Sequence, residues 1–129
     1  MRGRSLAFLG SMFALLAIVN PVFAHHGLAA YDTTKTVTIK GTIEEFLFVN
    51  PHCELYFDVR DDSGKIVKWG AEFTNPGVLH RRGWTKEMFK PGDTITVIGN
   101  RAKNGSPVIR ALKIVLPDGR ELDPFAGEG

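Results

Sequence analysis

The first 24 residues differ in hydrophobic pattern from the rest of the chain. Arg2 and Arg4 precede an uncharged, mostly apolar stretch over residues 6–19, and the small residue Ala24 lies where a signal peptidase would cut. The apolar stretch is short for a membrane-spanning helix. The pattern predicts a signal peptide over residues 1–24, cleaved after Ala24. We therefore expect a periplasmic protein with no stable membrane anchor.

From residue 36 onward, apolar and polar residues alternate with a period of two. The first run, residues 36–43, predicts a strand with one buried face. The apolar positions are odd-numbered there, but Phe46 and Phe48 are even-numbered. A β-bulge near Glu44 and Glu45 would reconcile the two sets. A long strand that bends in this way is suited to closing a small barrel.

A hairpin and a short helix are predicted next. Alternating runs over residues 54–59 and 67–73 flank the turn sequence of residues 61–64, which is typical of a hairpin. Asn75-Pro76 is typical of a helix start, and Gly83 is placed to end that helix. The helix is thus predicted between the third and fourth strands.

Two further strands complete the predicted domain. The turn at residues 90–93 precedes a strand around residues 95–97, and the turn at residues 104–105 precedes a last strand with one apolar face formed by Leu112, Ile114 and Leu116. Three strands, a short helix and two strands follow the plan of a small five-stranded OB-like barrel, so the fold class is mainly β. An immunoglobulin-like sandwich fits less well, because it requires about seven strands.

Length and charge limit the domain organisation and the partners. The 105 residues from 25 to 129 suit a single domain, with a mobile lead-in over residues 25–35 and a mobile tail over residues 118–129. Loss of Arg2 and Arg4 with the signal would leave 14 basic and 14 acidic residues. A neutral mature chain has no strong field for nucleic acid, so we expect no nucleic-acid partner.

Several short motifs occur together along the chain. In order they are HHG after the leader, Tyr31-Asp32, VTIKGTIEEF, NPHC, KWGAEF, RRGW and KPGD. With this set the chain resembles a family of small exported bacterial proteins known only as domain-of-unknown-function family 6152. The resemblance covers nearly the whole mature chain and implies export and a shared fold, but no activity. Cys53, directly after His52, is not a feature of that family.

The predicted mature end offers a set of metal ligands. Cleavage after Ala24 would make His25 the first residue, so that its α-amine and its ring nitrogen could chelate one ion, with His26 and His52 as further ligands. Nitrogen ligands of this kind suit Cu(II), so copper is the expected cofactor if a metal binds. A second mode uses His26 with the amine and the intervening backbone nitrogen. The alternative is a mobile, solvated end without bound metal.

A second candidate surface lies on the barrel. Tyr56, Trp84, Arg81 and Arg82 form a candidate surface for a ligand or partner, although Trp84 also suits a buried position that packs the helix onto the barrel. The sequence contains no catalytic motif, so we expect no enzyme. The prediction is an exported periplasmic binding or accessory domain of unknown activity, and a sharper version of it adds copper held by the amino-terminal histidines. The alternative is a metal-free OB-like module that binds a protein partner or a small ligand on its barrel face.

Overall fold

A computed structural model describes residues 27–127 of the chain. In this range the regular elements, in chain order, are a short 3-10 helix (Leu28–Ala30), β1 (Val37–Leu47), β2 (Glu54–Arg60), β3 (Ile66–Glu72), α1 (Pro76–Arg81), β4 (Thr94–Arg101), β5 (Val108–Val115) and β6 (Glu121–Leu122). Within the same range, none of the helices has the length and hydrophobicity needed to cross a membrane.

Five of the strands form a closed barrel. The order is β3-β2-β1-β4-β5, and a parallel pairing of β3 with β5 closes it. The other pairings within the barrel are antiparallel. With α1 between β3 and β4, this arrangement confirms the predicted OB-like barrel.

The long strand β1 bends where its apolar parity changes. Against β2, Ile43 pairs with Phe57 and Glu45 pairs with Tyr56, so Glu44 is the extra residue of a β-bulge. Ile43 is buried before the bulge and Phe46 packs against the core after it. The bulge predicted at this position is confirmed, and it lets β1 pair with both β2 and β4.

A single apolar core fills the barrel and extends beneath α1. Asn75 caps that helix, because its side chain accepts a hydrogen bond from the amide of Val78 at 3.0 Å. Leu79, on the inner face of α1, is fully buried. The other large buried side chains of this core include Leu55, Phe57, Trp69, Phe73, Trp84, Phe89, Ile95, Val97, Ile109 and Ile114.

The apolar face of β5 differs from the predicted one. Ile109 and Ala111 are buried in its first half and Ile114 in its second half, whereas Leu112 is only partly buried. The pairing with β4 shifts at this point. Gly99 pairs with Ala111, but the neighbouring residue Ile98 pairs with Lys113, so Leu112 has no partner in β4. A second bulge therefore changes the parity of β5, and Leu112 does not share a face with Ile114.

The lead-in and the tail both pack on the barrel. Tyr31 is 2% exposed and forms a β-bridge with Ala102. At the other end β6 pairs with β5, and Pro124 is fully buried. Residues 25–35 and 118–129 were predicted to be mobile; among those of them that the structure describes, strand pairing satisfies backbone groups and burial covers the side chains of Tyr31 and Pro124. The predicted signal peptide, His25 and His26 lie outside the described residues.

Candidate functional site

A cavity of about 240 Å³ lies on the outer side of the β3–β5 pair, between the lead-in and the tail. Glu72, the last residue of β3, is in register with Arg110 of β5, so both side chains lie on the same side of the sheet. The cavity is lined by Gly27, Leu28, Tyr31, His52, Glu72, Phe73, Thr74, Arg110 and Phe125.

Glu72 connects two of the polar groups in this cavity. The hydroxyl of Tyr31 donates a hydrogen bond to Oε2 of Glu72 at 3.0 Å. The other oxygen, Oε1, lies 2.6 Å from Nδ1 of His52. Burial, followed by the negative charge of Glu72, raises the pKa of Tyr31 far above its ordinary value. Tyr31 is therefore a hydrogen-bond donor at neutral pH, and one carboxylate bridges the lead-in and the NPHC segment.

His52 faces this cavity because the next residue faces the core. The amide of Cys53 donates to the carbonyl of Thr74 at 3.0 Å, and the amide of Phe73 donates to the carbonyl of Cys53 at 2.9 Å. The pairing of β2 with β3 thus continues to Cys53, whose thiol is fully buried. Burial raises the pKa of that thiol to about 11. As strand alternation predicts, His52 and Cys53 point to opposite sides and share no site.

Arg110 supplies the positive charge of the cavity. Its guanidinium carbon lies 3.9 Å from the centre of the Phe125 ring, a close cation–π contact. The tail that carries Phe125 is held by Arg82, whose guanidinium donates to the carbonyl of Pro124 at 2.6 Å. The C-terminal segment therefore forms one wall of the cavity.

Of the three predicted metal-binding histidines, only His52 is described by the structure, and it lines the cavity. His25 and His26 are outside the described residues, but Gly27, which follows them directly, lines the cavity together with His52. Within residues 27–127, no group of three or more His, Cys, Asp or Glu side chains is arranged to hold a metal ion. A metal at His52 would thus need further ligands from outside the described residues, of which His25 and His26 are the predicted ones.

The second candidate surface is not a single patch. Trp84 is only 4% exposed and packs edge-on against Phe73, with ring centres 5.7 Å apart. It therefore belongs to the core and offers almost no surface to a partner. Its backbone amide donates to the carbonyl of Leu79 at 3.0 Å, which turns the chain inward after α1.

The other three residues of that set lie in different surroundings. The Tyr56 hydroxyl donates to Glu54 at 2.7 Å on the outer face of β2. Burial and this hydrogen bond raise the pKa of Tyr56 to about 12. Arg81 is exposed on α1, whereas Arg82 contacts the tail. Of these residues, Arg82 is the one that contacts the segment forming the cavity wall, through the carbonyl of Pro124.

Comparison with protein families identifies the chain. A model described as a family of unknown function (DUF6152) matches residues 14–109. The chain belongs to this family. No curated protein matches the DUF6152 chain.

Solved structures offer distant matches to this DUF6152 chain. A crystal structure of TiaS in complex with a tRNA and ATP matches with 16% identity and a TM-score of 0.44, covering 66% of this chain and 18% of that one. A ZRD-deleted mutant of TiaS in complex with agmatine matches with 17% identity and a TM-score of 0.44, covering 72% of this chain and 27% of that one. The DUF6152 chain thus spans less than a third of the length of either protein.

Of the residues that line the cavity in this DUF6152 chain, only His52 was a predicted site residue, and Tyr31, Glu72 and Arg110 are the most consequential of the others. Tyr31 belongs to the Tyr31-Asp32 motif and Glu72 to the KWGAEF motif, so both lay in motifs that carried the family resemblance. Arg110 carried no local signal beyond its charge. Their juxtaposition depends on the parallel pairing of β3 with β5 and on the docking of the lead-in.

Proposed function

We propose that this domain is an exported, periplasmic copper-binding module. In this proposal the α-amine and ring of His25 chelate Cu(II), and His26 and His52 are further ligands. The observation that supports it is that Gly27 and His52 line the same cavity. Two residues of extended chain span at most about 7 Å, so His25 lies within a short reach of the Gly27 wall.

Glu72 supports His52 as a ligand in this proposal. With Nδ1 of His52 against Oε1 of Glu72 at 2.6 Å, copper would bind through the other ring nitrogen, Nε2. Metal-binding histidines commonly direct their second nitrogen to a carboxylate in this way, which fixes the ring orientation and raises ligand basicity. Amine and imidazole nitrogens also match the preference of Cu(II).

The proposed role is to hold copper outside the cytoplasm as a binding or accessory module. The α-amine must lose a proton before it can bind, so copper affinity should rise with pH near neutrality. Cleavage after Ala24 is a condition of the proposal, because the α-amine of His25 does not exist in the uncleaved chain.

Copper titration of matched variants tests the proposal. Intact mass first establishes that the mature chain begins at His25. Cu(II) is then titrated into this protein, into a version whose α-amine is acetylated, and into the variants His52→Ala and His80→Ala. His80 is an exposed histidine of α1, away from the cavity lining, and is the control.

The expected results differ among these proteins. Acetylation of the α-amine and His52→Ala should each weaken copper binding at least about tenfold, because each removes a ligand, whereas His80→Ala should leave it unchanged. Equal and weak binding by all four proteins would refute the copper site. It would favour the metal-free module, which binds a partner or a small ligand on the barrel face.

A further inference from the structure

The guanidinium of Arg110 lies against an aromatic ring of the cavity wall. In the described part of the chain it stacks on the ring of Phe125 and donates no hydrogen bond to a carboxylate. Stacking occupies the face of the planar group and leaves its N–H bonds pointing outward in the plane. This edge geometry matches the two oxygens of a carboxylate.

Glu72, the one carboxylate among the described residues that line the cavity, does not satisfy Arg110. Its two oxygens contact Tyr31 and His52, at 3.0 and 2.6 Å respectively. Although Glu72 is in register with Arg110 across the β3–β5 pair, its charge is directed toward the lead-in and the NPHC segment. Among the described residues no other carboxylate lines the cavity, so a bound anion can complete the hydrogen bonding of Arg110 at this position.

Charge and size limit the class of that anion. Glu72 and Arg110 cancel, and His52 adds at most one positive charge, so a monoanion suits the cavity better than a phosphate dianion. Leu28, Phe73 and Phe125 provide apolar walls. A volume of about 240 Å³ corresponds to about eight water molecules, which admits a small molecule of roughly ten heavy atoms.

We propose that this cavity binds a small monocarboxylate with an apolar body. The carboxylate accepts two hydrogen bonds from Arg110, and the apolar body packs against Phe73 and Phe125. A free organic acid and the C-terminal carboxylate of a peptide share this chemistry. The proposal does not depend on copper, because its main contacts come from Arg110 and the aromatic walls.

Benzoate is a suitable probe, tested on the mature protein in the presence of a metal chelator. Binding is followed by shifts of backbone amide NMR signals, which also locate the site. Benzamide, which has the same ring without the charge, is the ligand control. The tripeptide Gly-Gly-Phe and its C-terminal amide separate a peptide terminus from a free acid as the source of the carboxylate.

Two arginine variants provide the matched comparison. Arg110→Gln removes the proposed partner. Arg101→Gln removes another arginine that stacks on an aromatic ring, with its guanidinium 5.1 Å from the centre of the Trp69 ring, away from the cavity lining. Arg110→Lys keeps the positive charge but cannot form a bidentate pair of hydrogen bonds with a carboxylate. Thermal unfolding of each variant shows whether it is folded.

We expect benzoate to shift the amides of Glu72, Phe73 and Phe125. Arg110→Gln should weaken binding about ten- to a hundredfold, Arg110→Lys should have a smaller effect, and Arg101→Gln should have none. Benzamide should bind at least about tenfold more weakly than benzoate. The proposal is overturned by no saturable shifts, by equal binding of the two ligands, or by equal losses in Arg110→Gln and Arg101→Gln. If Arg110→Gln does not fold, Arg110→Lys and the benzamide comparison decide.

Discussion

Glu72 and His52 are joined by a polar contact of 2.6 Å between Oε1 and Nδ1. The two residues are 20 positions apart in the sequence and meet because the β2–β3 pairing begins at Cys53, one residue before the start of β2. The same carboxylate accepts a hydrogen bond from Tyr31. Glu72 therefore fixes the orientation of the His52 ring relative to the lead-in.

Glu72→Gln is expected to weaken copper binding about ten- to a hundredfold, because the amide cannot orient and polarise His52 as the carboxylate does. The measurement is a Cu(II) titration together with the copper EPR spectrum. Glu54→Gln is the control, since Glu54 lies directly opposite Glu72 on β2 and contacts Tyr56 instead.

A readout without metal separates this positioning role from the copper proposal. In the metal-free protein, ¹⁵N NMR of the His52 ring should show the proton on Nδ1, and Glu72→Gln should change that tautomer. An unchanged His52 spectrum in Glu72→Gln would contradict the positioning role, whether or not copper binds. If the spectrum changes but copper affinity does not, His52 is not a copper ligand.

Trp69→Ala should destabilise the domain by about 3–5 kcal/mol, as large aromatic deletions in a core do. Trp69 is 9% exposed and pairs with Phe57 across β2 and β3. Chemical denaturation measures the change in the free energy of unfolding. Ile66→Ala, at a 49% exposed position of the same strand, should cost about 0.5 kcal/mol or less. Similar losses in both variants would contradict the core placement of Trp69.

Gly99→Ala is expected to cost roughly 1–3 kcal/mol, because a β-carbon there would lie 2.0 Å from the carbonyl oxygen of Arg110 and the two strands would have to move apart. The matched control is Gly70→Ala, whose β-carbon would make an ordinary 3.4 Å contact with the Tyr56 ring. We expect that control to be neutral or slightly stabilising, since alanine restricts the unfolded chain. Thermal and denaturant unfolding compare the two, and a neutral Gly99→Ala would disprove the close approach.

The buried thiol of Cys53 should make the domain less stable at alkaline pH. Its pKa rises from about 9 to about 11 on folding, so between these values the folded protein keeps a proton that the unfolded chain has lost. The free energy of unfolding should therefore fall as pH rises from 9 to 11, by at most about 1.4 kcal/mol per pH unit from this group.

Cys53→Ala is the test of that dependence. Removing the thiol lowers stability at every pH by leaving a small cavity, but it should also flatten the slope between pH 9 and 10. Tyr31 and Tyr56 add to the loss as the pH approaches 10, because they ionise near 10 in the unfolded chain and burial raises their pKa in the folded protein; Cys53→Ala keeps that part of the slope. An unchanged slope in Cys53→Ala would assign the alkaline loss to another group.

The barrel itself follows from local pattern, with one exception that has a physical cause. The bulge in β1 was predictable because a charged pair separates two sets of apolar residues with opposite parity. The bulge in β5 was not, because it depends on the partner strand. There the absence of a side chain at Gly99 lets the carbonyl of Arg110 approach closely, and the register shifts beside Leu112.

The cavity could not be predicted from the local pattern of apolar and polar residues. His52 was a candidate from its residue type, but Tyr31, Glu72 and Arg110 are brought to it by pairings between segments far apart in the chain. Tyr31 lay in a segment expected to be mobile, because short polar leads usually are. Its burial and its bridge to Ala102 show that this segment is part of the domain.

The cavity has walls from both ends of the described chain, Gly27 on one side and Phe125 on the other. An affinity tag or fusion partner joined just before Gly27 or just after Gly127 would therefore sit beside the cavity. Ligand binding measured on such fusions would be affected by the added residues next to the cavity. Insertion at an exposed hairpin turn such as residues 61–64 would label the protein at a point that is not part of the cavity lining.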